Sequence, residues 1–224
     1  MSAEREYRQH RFRLPADATE ILLVRHGASA PVRRGERHPL DADGHGDPEL
    51  APEGLEQAAA VGERLAEEQA ISAVFVTGLQ RTAQTAAPFL ERVGLEAAVV
   101  PELREVHLGD WEGGEFRVRM QEGDPVAWRA VAEERWDLFP NAESMETFGG
   151  RVKAGIERIA AAVGPGKVGA AFLHAAVIGE ICRQATQSRP FAFVHAENGS
   201  ISRLVVFSDG RWLLRSFNET RHLP

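Results

Sequence analysis

The sequence predicts an α/β fold: a three-layer sandwich with a mostly parallel mixed sheet, helices on both faces, a C-terminal β-hairpin and a small helical insertion. Three observations predict it. Ile21–Val24 is a short uninterrupted apolar run with the character of a strand buried on both faces, Ile71–Val76 is a second β-rich run, and Val168–Leu173 reads as another buried strand. Each ends abruptly in polar or glycine-bearing residues, and amphipathic helices follow the second and third directly. Near the end, Asp209-Gly210 lies between two further apolar runs, a two-residue hairpin signal.

Before the first strand, residues 1–18 read as a loosely held arm, and 19–224 as one domain with a cap-like insertion at about 103–142. The arm is basic and polar without an apolar run, so it does not read as a secretory signal. Strand Ile21–Val24 terminates in Arg25-His26-Gly27, at the edge where open α/β sheets place their chemistry. Gly27 permits a sharp turn and a close approach of ligand to backbone. Arg25 offers a planar fork for phosphate or carboxylate, and His26 suits a nucleophile, a base or a metal ligand. The plainer reading of the tripeptide is a strand that ends in solvated polar residues.

Residues 30–49 carry no period and read as a long loop, basic at Arg33, Arg34, Arg37 and His38. That loop is either a solvated surface or one facing a substrate. His38, His45 and Asp47 are too irregularly spaced to make a persuasive metal site. Pro52 opens a helix with Leu55, Ala58, Ala59, Gly62, Leu65 and Ala66 expected inward. After strand Ile71–Val76 the turn Thr77–Thr82 leads into a helix to about Arg92. Arg81 falls in its first turn, where backbone N–H groups favour an anion.

Glu96–Val100 is a further strand candidate. The ionisable segment Pro101–Gly114 follows, anchored by Leu103, Leu108 and Trp111. Residues 115–142 read as a helical insertion over the sheet edge, with Trp128 and Trp136 as packing residues. Met145, Phe148, Val152, Ile156, Ile159 and Val163 define a long amphipathic helix, capped by Asn141 or Ser144 and stopped by Gly164-Pro165-Gly166. Strand Val168–Leu173 ends in His174, and another helix runs to about Gln187. Ile201–Phe207 and Trp212–Phe217 form the hairpin.

Composition narrows the function. The chain has 224 residues and a formal net charge of −7, which argues against nucleic acid as a partner. No stretch has the length of a membrane span. The single cysteine, Cys182, excludes an intrachain disulfide and fits a cytoplasmic protein. Oligomeric state stays open, a homodimer being one option. His26 and His174 each end a buried strand, and Arg25 and Arg81 stand at the same edge. Two arginines and two histidines without metal-ligand spacing describe a pocket for a phosphoryl group.

These segments resemble the histidine phosphatase superfamily, the phosphoglycerate mutase-like proteins. Arg25-His26-Gly27 is similar to the family's signature tripeptide. Asp47-Pro48-Glu49-Leu50 with Gly54, Gln57 and Ala58 looks like the segment that follows it. Val76–Thr82 with Thr85-Ala86 resembles the segment of the second phosphate arginine, and Leu103-Arg104-Glu105 with Gly109–Gly113 the segment of the acidic proton donor. Pro140–Ser144 is a degenerate form of a helix start, His174 takes the second pocket histidine's place, and Asn198-Gly199-Ser200-Ile201 is similar to the strand start that closes the core. The resemblance spans about residues 20–217.

It implies a phosphomonoester hydrolase that works through a phosphohistidine on His26. Arg25, Arg81 and His174 would hold the phosphoryl oxygens, Glu105 would donate the proton, and Ala175 and Ser29 would add substrate contacts. Glu112 is the rival acid, and Glu105 has the plainer role of a surface salt bridge with Arg104 or another base. The resemblance implies a small phosphorylated substrate and neither metal nor cofactor. Ala28 and Ala175 depart from the family pattern, and the loop after Ser29 departs from the mutase form. A mutase and a non-catalytic phospholigand-binding member are the alternatives.

Overall fold

The computed structural model describes residues 7–68 and 71–224. The expectation of a loose arm at 1–6 lies outside the described residues. Residues 7–15 have no regular secondary structure, and the Arg215 guanidinium stands 3.9 Å over the Phe12 ring. In chain order the elements are β1 (Ala18–Arg25), α1 (Pro52–Ala66), β2 (Ile71–Val76), α2 (Gln80–Val93), β3 (Ala97–Val99), α3 (Glu115–Glu122), α4 (Pro125–Glu133), α5 (Met145–Val163), β4 (Val168–Leu173), α6 (Ala175–Thr186), β5 (Ile201–Phe207) and β6 (Trp212–Glu219). Strand β1 thus begins at Ala18, inside the stretch read as arm.

Six strands form one sheet in the order β3-β2-β4-β1-β5-β6. Strands β1 to β4 run parallel, while β5 pairs antiparallel with β1 and β6 antiparallel with β5. The apolar runs are continuous because both sheet faces are covered. Ile21 and Leu23 pack in a core with Phe148, Ile156 and Ile159 of α5 and Ile178 and Ile181 of α6. Leu22 and Val24 face the other way, into a core with Val61 and Leu65 of α1 and Phe89 of α2. These two cores make the three layers. A third, smaller cluster of Trp111, Ala127, Ala130 and Phe139 holds the insertion.

Alignment of carboxyl ends follows from register. Arg25 pairs with Leu173 across β1 and β4, and the His26 N–H donates to the Leu173 carbonyl at 3.0 Å. Helix α5 starts at Ser144, whose hydroxyl accepts from the Thr147 N–H at 3.0 Å, which decides between the two cap candidates.

Three expectations are corrected. The buried stripe of α1 is Gly54, Ala58, Val61, Gly62 and Leu65, while Leu55 is 55% exposed. Two glycines carry that stripe, so its apolar signal was weak and the neighbouring Leu55 and Ala59 mimicked it. Trp128 is exposed, on the outer face of α4, and does not pack the insertion. The hairpin loop has three residues, Ser208-Asp209-Gly210. Phe207 N–H donates to the Arg211 carbonyl at 2.9 Å and Gly210 adopts φ +83°. Residues of the insertion line a cavity at the carboxyl ends of the strands.

Gly27 also serves a purpose other than the one read from sequence. A Cβ on Gly27 would lie 2.4 Å from the Gly54 carbonyl oxygen, and one on Gly54 would lie 2.0 Å from the Ala28 carbonyl oxygen. The two glycines let the loop after β1 rest directly on the first turn of α1. Gly54→Ala gains helix propensity of about 1 kcal/mol, but the overlap is with backbone and cannot be relieved by a rotamer. A net loss of about 1–3 kcal/mol is expected, read as a lower denaturation midpoint, with reduced turnover because the His26 loop is displaced. An unchanged midpoint and rate would show that this contact is slack.

Candidate active site

The cavity of about 710 Å³ at the carboxyl edge of the sheet is lined at its floor by Arg25, His26, Arg81, Glu105 and Ala175. His26, at the end of β1, is 5% exposed. Its Nδ1 lies 2.7 Å from the Gly27 carbonyl oxygen. A carbonyl only accepts, so Nδ1 carries the proton in the neutral ring and Nε2 keeps its lone pair. Burial, then the charges of Arg81 and Arg25, hold the imidazole well below its usual range, while the carbonyl contact opposes them. The ring is therefore neutral at pH 7.

His174, at the end of β4, sits with its ring centroid 5.2 Å from that of His26. Its Nε2 is 2.9 Å from Thr77 Oγ1 at the end of β2, and its buried Nδ1 has no protein partner. Burial and Arg81 lower its pKa well below the usual value.

Arg81 is 7% exposed in the first turn of α2, with Nη1 donating to the Gly46 carbonyl at 2.9 Å and 3.9 Å from Asp47. Arg25 is held by a hydrogen bond to the Ala196 carbonyl. Burial lowers both guanidinium pKa values, yet arginine stays charged in proteins. Ala175 opens α6, whose cap residue is His174. Helix α6 thus points its positive end at this floor.

Glu105 Oε1 accepts from its own Val106 N–H at 3.0 Å, and Oε2 accepts a longer 3.4 Å bond from Ala176 N–H. Burial raises its pKa, against the pull of those N–H groups and of Arg81 and Arg25. The salt-bridge alternative does not form, since Arg104 turns to Asp41 and Asp43. Glu112, the rival acid, uses one oxygen on the Gly46 N–H at 2.7 Å and the other on the Leu108 N–H at 2.9 Å. It braces the loop against the insertion.

One arginine escaped the sequence reading. Arg117 of α3 lines the cavity, and its charge acts on Arg25, His26 and Arg81 alike. It is anchored by bonds to Ser29 Oγ at 2.6 Å and the Ala30 carbonyl at 3.1 Å. Nothing in Phe116-Arg117-Val118-Arg119 distinguishes it from its neighbour, because only the fold of the insertion swings it over the sheet. Ser29 does not line the cavity; its hydroxyl positions Arg117 instead. In the basic loop, Arg33 and Arg34 pair with Glu36 and Glu122 at the surface, while His38, His45, Gly46 and Pro48 face the cavity. Asn198 Nδ2 donates to the His26 carbonyl at 2.9 Å, fixing the loop from the β5 side.

A neutral histidine with one free nitrogen, three guanidinium groups around it and a buried carboxyl whose pKa is raised together suit transfer of a phosphoryl group. Among the described residues no cluster of His, Cys, Asp and Glu is arranged to hold a metal ion. Comparison with known proteins agrees with this reading. The model of the histidine phosphatase superfamily, branch 1, matches residues 21–220. The chain belongs to that superfamily. This histidine phosphatase family member is 31% identical over 212 residues to phosphoglycerate mutase-like protein 4 of Arabidopsis thaliana, covering 92% of this chain and 88% of the relative. It is 29% identical over 227 residues to a metal-independent phosphoserine phosphatase of the same plant, covering 100% and 91%. A phosphoglycerate mutase from Bacillus anthracis shares the fold with a TM-score of 0.74 at 22% identity, over 93% of this chain and 96% of that one. Relatives of this histidine phosphatase family member thus include phosphatases, and the α/β fold is that of the family.

Proposed function

We propose that the protein is a metal-independent phosphomonoester hydrolase that acts on a small phosphorylated metabolite through a phosphohistidine on His26. The observation that carries this reading is the His26 ring, neutral, tied through Nδ1 to Gly27 and open at Nε2 among Arg25, Arg81 and Arg117. Nε2 attacks phosphorus, the P–N bond forms, the ester P–O bond breaks, and protonated Glu105 gives its proton to the leaving oxygen. A water then attacks phosphorus, Glu105 takes the water's proton, and the P–N bond breaks to release phosphate. Guanidinium groups neutralise the charge on the equatorial oxygens, and the neutral His174 ring and the first N–H groups of α6 donate hydrogen bonds to them. Ala175 leaves its N–H available and sets a methyl group at the floor. Cys182, buried and pushed up to about 12, is a core residue outside this chemistry.

Arg81→Ala is expected to cost about 2–4 kcal/mol of transition-state stabilisation, and Arg81→Lys less, because lysine keeps charge without the fork. Near-parent kcat/KM for Arg81→Ala would remove Arg81 from the pocket. Chelators are expected to leave the rate unchanged, and inactivation reversed by a divalent ion would contradict this.

A mutase must keep water from its phosphohistidine while the intermediate turns over. Residues 30–49 have no mutase pattern, so net hydrolysis is favoured. The test is partitioning of phosphate between water and an added phosphoglycerate acceptor. Predominant free phosphate supports the hydrolase, and predominant transfer to the acceptor supports the mutase. A pocket that binds phosphate without turnover of any ester would make the protein a phospholigand binder.

A further inference from the structure

We propose that the cavity above the phosphate floor is a subsite for a bulky, uncharged, largely apolar alcohol, which rests on the phosphomonoester reading and names the class of substrate. The aromatic rings of the insertion and of the loop after α6 form one continuous wall. Trp111 stacks on Phe139 at 4.3 Å, Phe139 lies 5.6 Å from Phe116, Phe116 6.1 Å from Trp136, and Trp136 4.4 Å from Phe191. Phe116, Trp136 and Phe191 are only partly buried and line the cavity, beside Leu108, Met120 and Val194. Half-buried rings facing a concave space are the usual lining of a site for an apolar ligand.

Charge inventory points the same way. The three lining cations with room for an anion, Arg25, Arg81 and Arg117, gather at the His26 end. Arg189, on the far wall, is ion-paired with Glu134. Glu112 has both oxygens occupied by N–H groups. Burial lowers the pKa values of His38 and His45, which keeps them neutral at pH 7, and His195 is exposed at the mouth. Among the described residues the outer chamber therefore offers no unpaired guanidinium or ammonium group for a second acidic group such as a carboxylate. A cavity of about 710 Å³ also far exceeds what a three-carbon phosphoester fills.

Primary alkyl esters with similar leaving groups isolate this effect from chemistry. The full chain is expected to hydrolyse 2-phenylethyl phosphate with kcat/KM roughly 10- to 100-fold above that for ethyl phosphate, O-phosphoserine and 3-phosphoglycerate. Calorimetric binding of 2-phenylethylphosphonate against methylphosphonate gives the same comparison without turnover, with a similar ratio expected. Phe191→Ser and, independently, Met120→Ser should each shrink both ratios several-fold. Equal constants across the series, tighter use of the carboxylated esters, or ratios unmoved in both variants would overturn the subsite. Tight phenylethylphosphonate binding with no hydrolysis of any ester would instead leave the subsite standing and remove the hydrolase.

Discussion

Replacing His26 by alanine is expected to lower turnover by roughly 10⁴- to 10⁶-fold, the scale seen when a covalent nucleophile is removed. The expectation rests on division of labour within the ring. Nδ1 is committed to the Gly27 carbonyl and Nε2 has no other task. Of the two histidines, only His26 has its Nε2 unengaged, since the His174 Nε2 meets Thr77 Oγ1, and Arg25 and Arg81 are cations. His26→Asn keeps a hydrogen-bonding group of similar size and should fold with an unchanged thermal midpoint while losing turnover to the same extent. A full-rate alanine variant would end the proposal.

Glu105→Gln is expected to slow alkyl phosphate hydrolysis by roughly 10²- to 10⁴-fold. It should slow p-nitrophenyl phosphate far less, because that leaving group departs without a proton. The pH dependence carries the sign. Burial raises the Glu105 pKa, so the acid form survives to higher pH than an exposed glutamate would allow. A proton donor must be protonated, so kcat/KM for an alkyl ester falls as pH rises through that raised value. His26 must be deprotonated, and its strongly lowered pKa places the rising limb at lower pH. Glu105→Gln should flatten the alkaline limb for alkyl esters. A limb that persists unchanged would assign it to another group, and equal losses for both ester classes would deny Glu105 the role of acid.

Much of the site was legible because parallel strands bring their carboxyl ends to one edge. His26 and His174 could be placed together from two apolar runs nearly 150 residues apart, and Arg81 from the turn after a third. The role proposed for Glu105 rests on the family resemblance. Its pKa depends on burial beneath α6 and on the Ala176 N–H, a contact across 71 residues that no local pattern encodes. Arg117 was illegible for a similar reason, since its placement comes from the path of the insertion and from Ser29. The inner face of α1 was misread where glycine replaced an apolar residue, because close backbone approach at Gly54 leaves no hydrophobic signature.

A covalent bond between phosphorus and His26 Nε2 is the central step of the proposed mechanism. Rapid acid-free quenching during turnover of a phosphoester, followed by peptide mass mapping, tests it most directly. The account predicts an acid-labile, base-stable phosphoryl group of about 80 Da on the peptide that carries His26, absent from His26→Asn. Phosphate on a serine or on His174, or turnover with no labelled enzyme under conditions that trap the intermediate, would contradict it.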